Sequence, residues 1–89
     1  MNAGAYIILP GGYGTLDELF ELLTLIMTGK KKPCPIILLD KNFWEPMVTC
    51  LTTIRTDYQM LSQKDLDYFC VASHVEEAVA IALSNRGAS

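Results

Sequence analysis

The sequence predicts an α/β fold built on a parallel β-sheet, and three observations support this. Three short runs, residues 5–9, 36–39 and 68–72, are apolar at every position, which is typical of strands buried on both faces of a parallel sheet. Each run is followed by a segment whose apolar residues recur at helical spacing. Residues that begin or stop helices separate the two kinds of segment. The predicted order is β-α-β-α-β-α, a doubly wound, Rossmann-like layout with right-handed crossovers.

Residues 1–89 are expected to form one partial domain. Doubly wound sheets usually have about five to seven strands, whereas this chain offers three and enters the first almost at Met1. We therefore expect the C-terminal half of a larger Rossmann-like domain. Hydrophobic residues make up 51% of the chain and charged residues 19%, which predicts apolar surface that another chain covers.

The first strand, residues 5–9, is bounded by Gly4 and Pro10. A helix is predicted over residues 16–28. Thr15 and Glu18 form a T-x-x-E capping pattern at its start, and Gly29 follows its end, where glycine commonly adopts the left-handed backbone that terminates a helix. Its apolar residues surround the helix, which predicts burial on all sides.

The second half of the chain repeats the alternation. The strand at residues 36–39 ends at Asp40, and Asn42 with Glu45 is expected to open a second helix. Ser62 with Asp65 predicts a short helical turn before the strand at residues 68–72. Ser73 with Glu76 is expected to cap the last helix.

Composition excludes several functional classes. The net charge of −3 provides no basic field for nucleic acid. The basic run Lys30–Lys32 is short and predicts a solvated loop; the alternative is that its positive charge helps to attract an anionic ligand. No stretch approaches the ~20 apolar residues of a membrane span, and the first residues lack a secretory signal's charge, so we expect a cytoplasmic protein. The three cysteines fit neither a disulfide framework nor a metal site and are expected to be buried, reduced thiols.

A glycine-rich loop joins the first strand to the first helix. Gly11, Gly12 and Gly14 let the backbone take positive φ and approach a ligand closely, and the first helical turn offers unpaired N–H groups. A phosphate fits such a place, although the spacing matches neither the dinucleotide fingerprint nor the P-loop. On this physics alone, an anion site and a purely structural turn both remain open.

The segment PGGYGTLDE, residues 10–18, resembles the P-G-G-x-G-T-x-x-E signature of the LOG (LONELY GUY) family, nucleoside 5'-monophosphate phosphoribohydrolases that have also been called lysine decarboxylases. Residues 18–40 and 61–79 are similar to the corresponding segments of bacterial members. The resemblance thus extends over nearly the whole chain.

The resemblance implies hydrolysis of the N-glycosidic bond of AMP or an N6-modified AMP, releasing the base and ribose 5-phosphate. It implies that Gly11, Gly12, Gly14 and Thr15 hold the 5'-phosphate and that Glu18 is catalytic. It also implies a homodimer through the first helix. No metal and no cofactor are expected. Pyridoxal phosphate needs a lysine in a pocket to form a Schiff base, and Lys30–Lys32 lie at the far end of the helix from the loop.

One family feature is not matched. Family enzymes carry an M-x-x-R-K segment upstream of the glycine signature, whose arginine is the second catalytic residue, and neither Arg55 nor Arg86 fits that role. We therefore expect activity to need an N-terminal half. The alternative function is a Rossmann-like module that binds a nucleotide or phosphate without cleaving it.

Several residues have a structural alternative. Glu18 and Thr15 could cap the first helix, and His74 is expected at the surface or in a cap. Asp40 could form a turn or reach a ribose hydroxyl. Tyr13 could stack on a base or merely cover the loop.

Overall fold

The computed structural model describes residues 4–86 and has the predicted α/β order. The elements are β1 (Tyr6–Ile8), α1 (Tyr13–Met27), β2 (Ile36–Leu39), α2 (Lys41–Thr56), α3 (Gln63–Leu66), β3 (Cys70–Ala72) and α4 (Val75–Arg86). None of the helices within this described range is long and apolar enough to cross a lipid bilayer.

The three strands form a parallel sheet in the order β1-β2-β3, so β2 lies in the middle. Ile8 of β1 aligns with Leu38 of β2, and Leu38 aligns in turn with Val71 of β3. Because the strands are parallel, their carboxyl ends lie at one edge of the sheet.

Helices cover both faces of β2. Ile36 and Leu38 lie in a cluster with Leu19 of α1 and Trp44 of α2. Ile37 points to the other face, where it packs with Ala78 of α4. The doubly wound, Rossmann-like layout predicted from the sequence is therefore confirmed over residues 4–86.

Burial on both faces holds only for β2. Its residues Ile36, Ile37 and Leu38 are at most 1% exposed. In β1, Ile7 is 40% exposed, because α4 packs over β2 and β3 and leaves that face of β1 uncovered. Cys70 of β3 is also exposed, so the expectation of fully buried outer strands is wrong.

The predicted cap of α1 is wrong. The helix begins at Tyr13 and its N-cap is Gly12, so Thr15 and Glu18 lie inside the helix and form no capping box. The next helix, α2, is capped by Asp40 rather than Asn42, through a bond from the Phe43 N–H to the Asp40 carboxylate. Both α1 and α2 therefore begin two or more residues before their predicted starts.

The later caps follow the predictions more closely. The short helical turn expected at Ser62 and Asp65 is present as α3, and the two residues form a reciprocal capping box at its start. At α4, His74 Nδ1 accepts a hydrogen bond from the Glu77 N–H, while the Ser73 N–H donates to the Glu77 carboxylate. His74 is thus an exposed capping residue as expected, and Glu77 takes the place predicted for Glu76.

Burial of α1 is one-sided. Leu19, Leu22 and Ile26 face the sheet and are at most 8% exposed, whereas Phe20 and Met27 are 40% and 48% exposed. Within the single chain, only one side of this helix is buried, so the predicted burial on all sides would need a second chain against the other side. An apolar face of α1 remains at the surface.

The C-terminus of α1 is closed by a left-handed residue, as predicted. Gly29 has a φ of 78°, its N–H donates to the Ile26 carbonyl, and the Lys30 N–H donates to the Leu25 carbonyl. This pair of bonds is a Schellman motif, which satisfies carbonyls that the helix end leaves free.

Replacing Gly29 by alanine is expected to lower the free energy of unfolding by about 1–2 kcal/mol, because a Cβ disfavours left-handed backbone. Asparagine tolerates this conformation better, so Gly29→Asn should lose less. Urea unfolding of both variants measures the difference, and equal losses would contradict this account.

Candidate functional site

The candidate site lies at the carboxyl edge of the sheet, where ligands bind in open α/β folds. Residues 9–12 connect the end of β1 to the start of α1. At the same edge, Asp40 follows β2, and Ser73 and His74 follow β3. The topology therefore brings the glycine loop beside the end of β2.

Gly11 contacts the first turn of α1 too closely for any other residue. A Cβ built on Gly11 would overlap the Thr15 hydroxyl and would lie 2.9 Å from the Thr15 Cβ. Gly12 and Gly14 have open space at the same position, and none of the three has a positive φ. The expected need for positive φ is thus absent, and only Gly11 is required by packing.

The first turn of α1 presents unused hydrogen-bond donors. Within the described residues, the N–H groups of Tyr13, Gly14 and Thr15 have no acceptor, and the first helical bond runs from Leu16 N–H to the Gly12 carbonyl. No acidic side chain lies in this turn to neutralise the positive end of the helix dipole. The turn is therefore suited to bind an anion.

Glu18 lies one turn beyond these donors. It is exposed, and its carboxylate makes no hydrogen bond or ion pair with any residue between 4 and 86. Residues three and four apart share one helix face, so Glu18 lies on the face of Gly14 and Thr15. The Cα–Cβ bond of a helical residue tilts toward the helix N-terminus, which for Glu18 is the end nearer the glycine loop.

Tyr13 and Asp40 also lie near the loop, and the structure decides between some of the roles expected of them. Tyr13 is 92% exposed, so it does not cover the loop. Asp40 has a φ of 86° and forms both a turn and a helix cap. The left-handed backbone of Asp40 was not predicted from the sequence, although the direct succession of strand and helix around this residue is a signal for it.

The remaining reactive groups do not converge on the loop. Lys31 lies over the Tyr6 ring at 5.4 Å, at the start of β1 and thus at the opposite edge of the sheet. Lys30 and Lys32 are exposed, which favours the predicted solvated loop over anion steering near the site. No three His, Cys, Asp or Glu side chains in residues 4–86 are grouped as metal ligands would be.

All three cysteines are free, but Cys50 and Cys70 are exposed and only Cys34 is half-buried, so the predicted burial is wrong for two of them. The pKa of the Cys70 thiol is raised, mainly by partial burial and to a smaller extent by the negative charge of the nearby Glu77 carboxylate. A raised pKa disfavours the reactive thiolate, so Cys70 is not an activated nucleophile.

Comparison with known proteins identifies the family. A family model described as "Possible lysine decarboxylase" matches residues 1–82, which include the glycine loop and all three strands. The chain belongs to this family, the LOG family.

Curated relatives of this LOG-family chain carry the name cytokinin riboside 5'-monophosphate phosphoribohydrolase. The rice (Oryza sativa subsp. japonica) protein LOG is 46% identical over 48 residues, 53% of this chain and 19% of the relative. The protein from Rhodococcoides fascians is 44% identical over 46 residues, 51% of this chain and 23% of the relative. Arabidopsis thaliana LOG7 is 49% identical over 49 residues, 54% and 22% respectively. The matched segment thus spans about a fifth of each relative's length.

The contact between Gly11 and Thr15 generates a prediction about two neighbouring glycines. Gly11→Ala should lower the free energy of unfolding by about 1–3 kcal/mol, because the new methyl group overlaps a side chain fixed to the helix backbone. Gly12→Ala meets open space and serves as the matched control, with a smaller loss. Thermal or urea unfolding compares the two, and equal losses would show that the close contact is unimportant.

Proposed function

We propose that this chain carries the phosphate loop and a catalytic glutamate of a nucleoside 5'-monophosphate phosphoribohydrolase. The reaction would be hydrolysis of the N-glycosidic bond of AMP or an N6-modified AMP, giving the free base and ribose 5-phosphate. The proposal rests on one observation: α1 offers free N–H groups in its first turn and, one turn further on, a Glu18 carboxylate that has no partner in residues 4–86. The names of the relatives support this reaction class.

Phosphate binding would come from the loop and the helix end. Gly11, Gly12 and Gly14 leave the backbone accessible, and the free N–H groups at the start of α1 would donate to the phosphate oxygens together with the Thr15 hydroxyl. The open space at Gly12 and Gly14 supports this role, because nothing in residues 4–86 requires glycine sterically at either position.

Glu18 would act on the ribose. As the bond between C1' and the base nitrogen breaks, positive charge develops on the ribose ring, and a carboxylate beside the ring stabilises it or orients the attacking water. Water adds its oxygen to C1', and the base leaves with the bonding electrons and gains a proton. A phosphate fixed at the helix end would hold C1' near the carboxylate one turn away, which supplies orientation.

Substituting Glu18→Gln in the native protein should lower the rate of base release by at least about 100-fold, because the carboxylate charge is lost with little change in shape. Glu21→Gln is the matched control, since Glu21 is exposed one turn further along α1, away from the loop. Free adenine and ribose 5-phosphate released from AMP are measured by chromatography.

Unchanged base release in the Glu18→Gln variant would overturn the catalytic role. Nucleotide binding without any base release in the native protein would instead favour the non-catalytic binding module.

We also propose that the exposed apolar face of α1 pairs with a second copy of the chain. Phe20 and Met27 of α1 line an apolar groove of about 130 Å³, together with Leu61 and Tyr68 from beyond α2. Leaving such a face in water is unfavourable, and a homodimer would bury it.

Phe20→Glu should shift a dimer toward monomer, because it places a charge in the apolar groove. Phe43→Glu is the control, since Phe43 is also 40% exposed but lies outside the groove on α2. Sedimentation measures the oligomeric state, and circular dichroism checks that both variants fold. A Phe20→Glu variant that remains dimeric would rule out this interface.

A further inference from the structure

Asp40 makes the whole connection between β2 and α2. The strand ends at Leu39 and the helix begins at Lys41, and the abrupt turn between them gives Asp40 a φ of 86° and a ψ of 87°. Its N–H donates to the Ala72 carbonyl at 2.9 Å, and its carbonyl accepts from the N–H groups of Phe43 and Trp44. The backbone is thus held in this conformation from both sides.

Asp40 has an unusual backbone for an N-cap residue. N-cap residues ordinarily have extended backbone, although aspartate is one of the residues other than glycine that adopt positive φ most readily. The carboxylate caps α2 only through a long bond of 3.4 Å from the Phe43 N–H to Oδ1. No residue between 4 and 86 hydrogen-bonds Oδ2, and the side chain is exposed. The local structure therefore leaves most of the carboxylate's capacity as an acceptor unused.

The carboxylate lies at the same edge of the sheet as the glycine loop. Ile8, the last residue of β1, aligns with Leu38 across the parallel pair, and β2 ends one residue later at Leu39. Both neighbouring strands therefore leave the sheet at the same edge, with the glycine loop after β1 and Asp40 after β2.

This placement is analogous to that in dinucleotide-binding βαβ units, although the glycine spacing here differs from their fingerprint. In those units the phosphate lies at the glycine loop after the first strand, and an acidic residue about 20 residues further on accepts a hydrogen bond from the ribose. We propose that Asp40 binds the ribose hydroxyls of the nucleotide whose 5'-phosphate occupies the glycine loop. The inference rests on the proposed function, and it assigns Asp40 to recognition of the sugar rather than to bond cleavage.

Comparison of two nucleotides tests the proposal in the native protein. AMP and 2',3'-dideoxyadenosine 5'-monophosphate share the base and the phosphate, and only AMP carries the two ribose hydroxyls. We expect the native protein to bind AMP about tenfold or more tightly, since hydrogen bonds to a charged acceptor are among the stronger ones. Asp40→Gly should bind the two nucleotides almost equally, with the loss confined to AMP.

Two further variants separate recognition from structure. Asp40→Asn keeps a capping side chain that tolerates positive φ, so it should fold like the native protein and yet discriminate less between the nucleotides. Asp57→Asn changes an exposed aspartate at the opposite end of α2 and should leave discrimination unchanged. Each protein in this comparison, the otherwise native one included, also carries Glu18→Gln so that AMP is not hydrolysed while equilibrium titration gives its dissociation constant.

The outcomes distinguish the two proposals. If the native protein binds both nucleotides equally, or if Asp40→Gly weakens both to the same extent, the role of Asp40 is overturned while phosphate binding stands. If neither nucleotide binds and no base is released from AMP, the proposed function itself fails and the role of Asp40 fails with it.

Discussion

The central constraint in this molecule is the burial of Ile36, Ile37 and Leu38 of β2 between two helical layers. Ile36 and Leu38 fill the core beneath α1 and α2, while Ile37 fills the one beneath α4. Apolar burial of this kind is the main favourable term in folding, and here a single strand supplies it to both faces. The other two strands take their register from β2, so the glycine loop after β1 and the turn after β2 are fixed at one edge by the same core.

Element order and the central strand could be predicted because they depend on apolar patterns that extend over whole segments, but the starts of α1 and α2 could not. At α1 the T-x-x-E pattern is present in the sequence, yet the helix begins at Tyr13, because Gly12 caps it without a side chain that would reveal the start. Ser62 with Asp65 was predicted correctly, since its side chains make the cap themselves. Burial of β1 was overestimated because a continuous apolar run does not tell whether tertiary structure covers both of its faces.

The candidate site was predicted in part. The position of Gly11 and Gly12 between strand and helix was predicted correctly from their spacing, whereas Gly14 lies in the first turn of α1 rather than before it. The role expected of Glu18 came from the family resemblance. The reason why Gly11 must be glycine depends on the side chain at Thr15, which a single sequence cannot show. The backbone of Asp40 was missed because aspartate at a helix start ordinarily implies extended backbone, whereas here a one-residue connection forces the left-handed conformation.

The uncovered face of β1 has a consequence for the behaviour of the chain in solution. Within residues 4–86, β1 pairs with β2 on one side only, and Ile7 adds exposed apolar surface to the open side of the sheet. Unpaired backbone groups on an apolar edge strand act as a template for strand addition by other chains. Pro10 limits the length of that template, because proline has no N–H to donate beyond the end of the strand. Self-association through this edge would compete with folding at high protein concentration unless another strand pairs with β1.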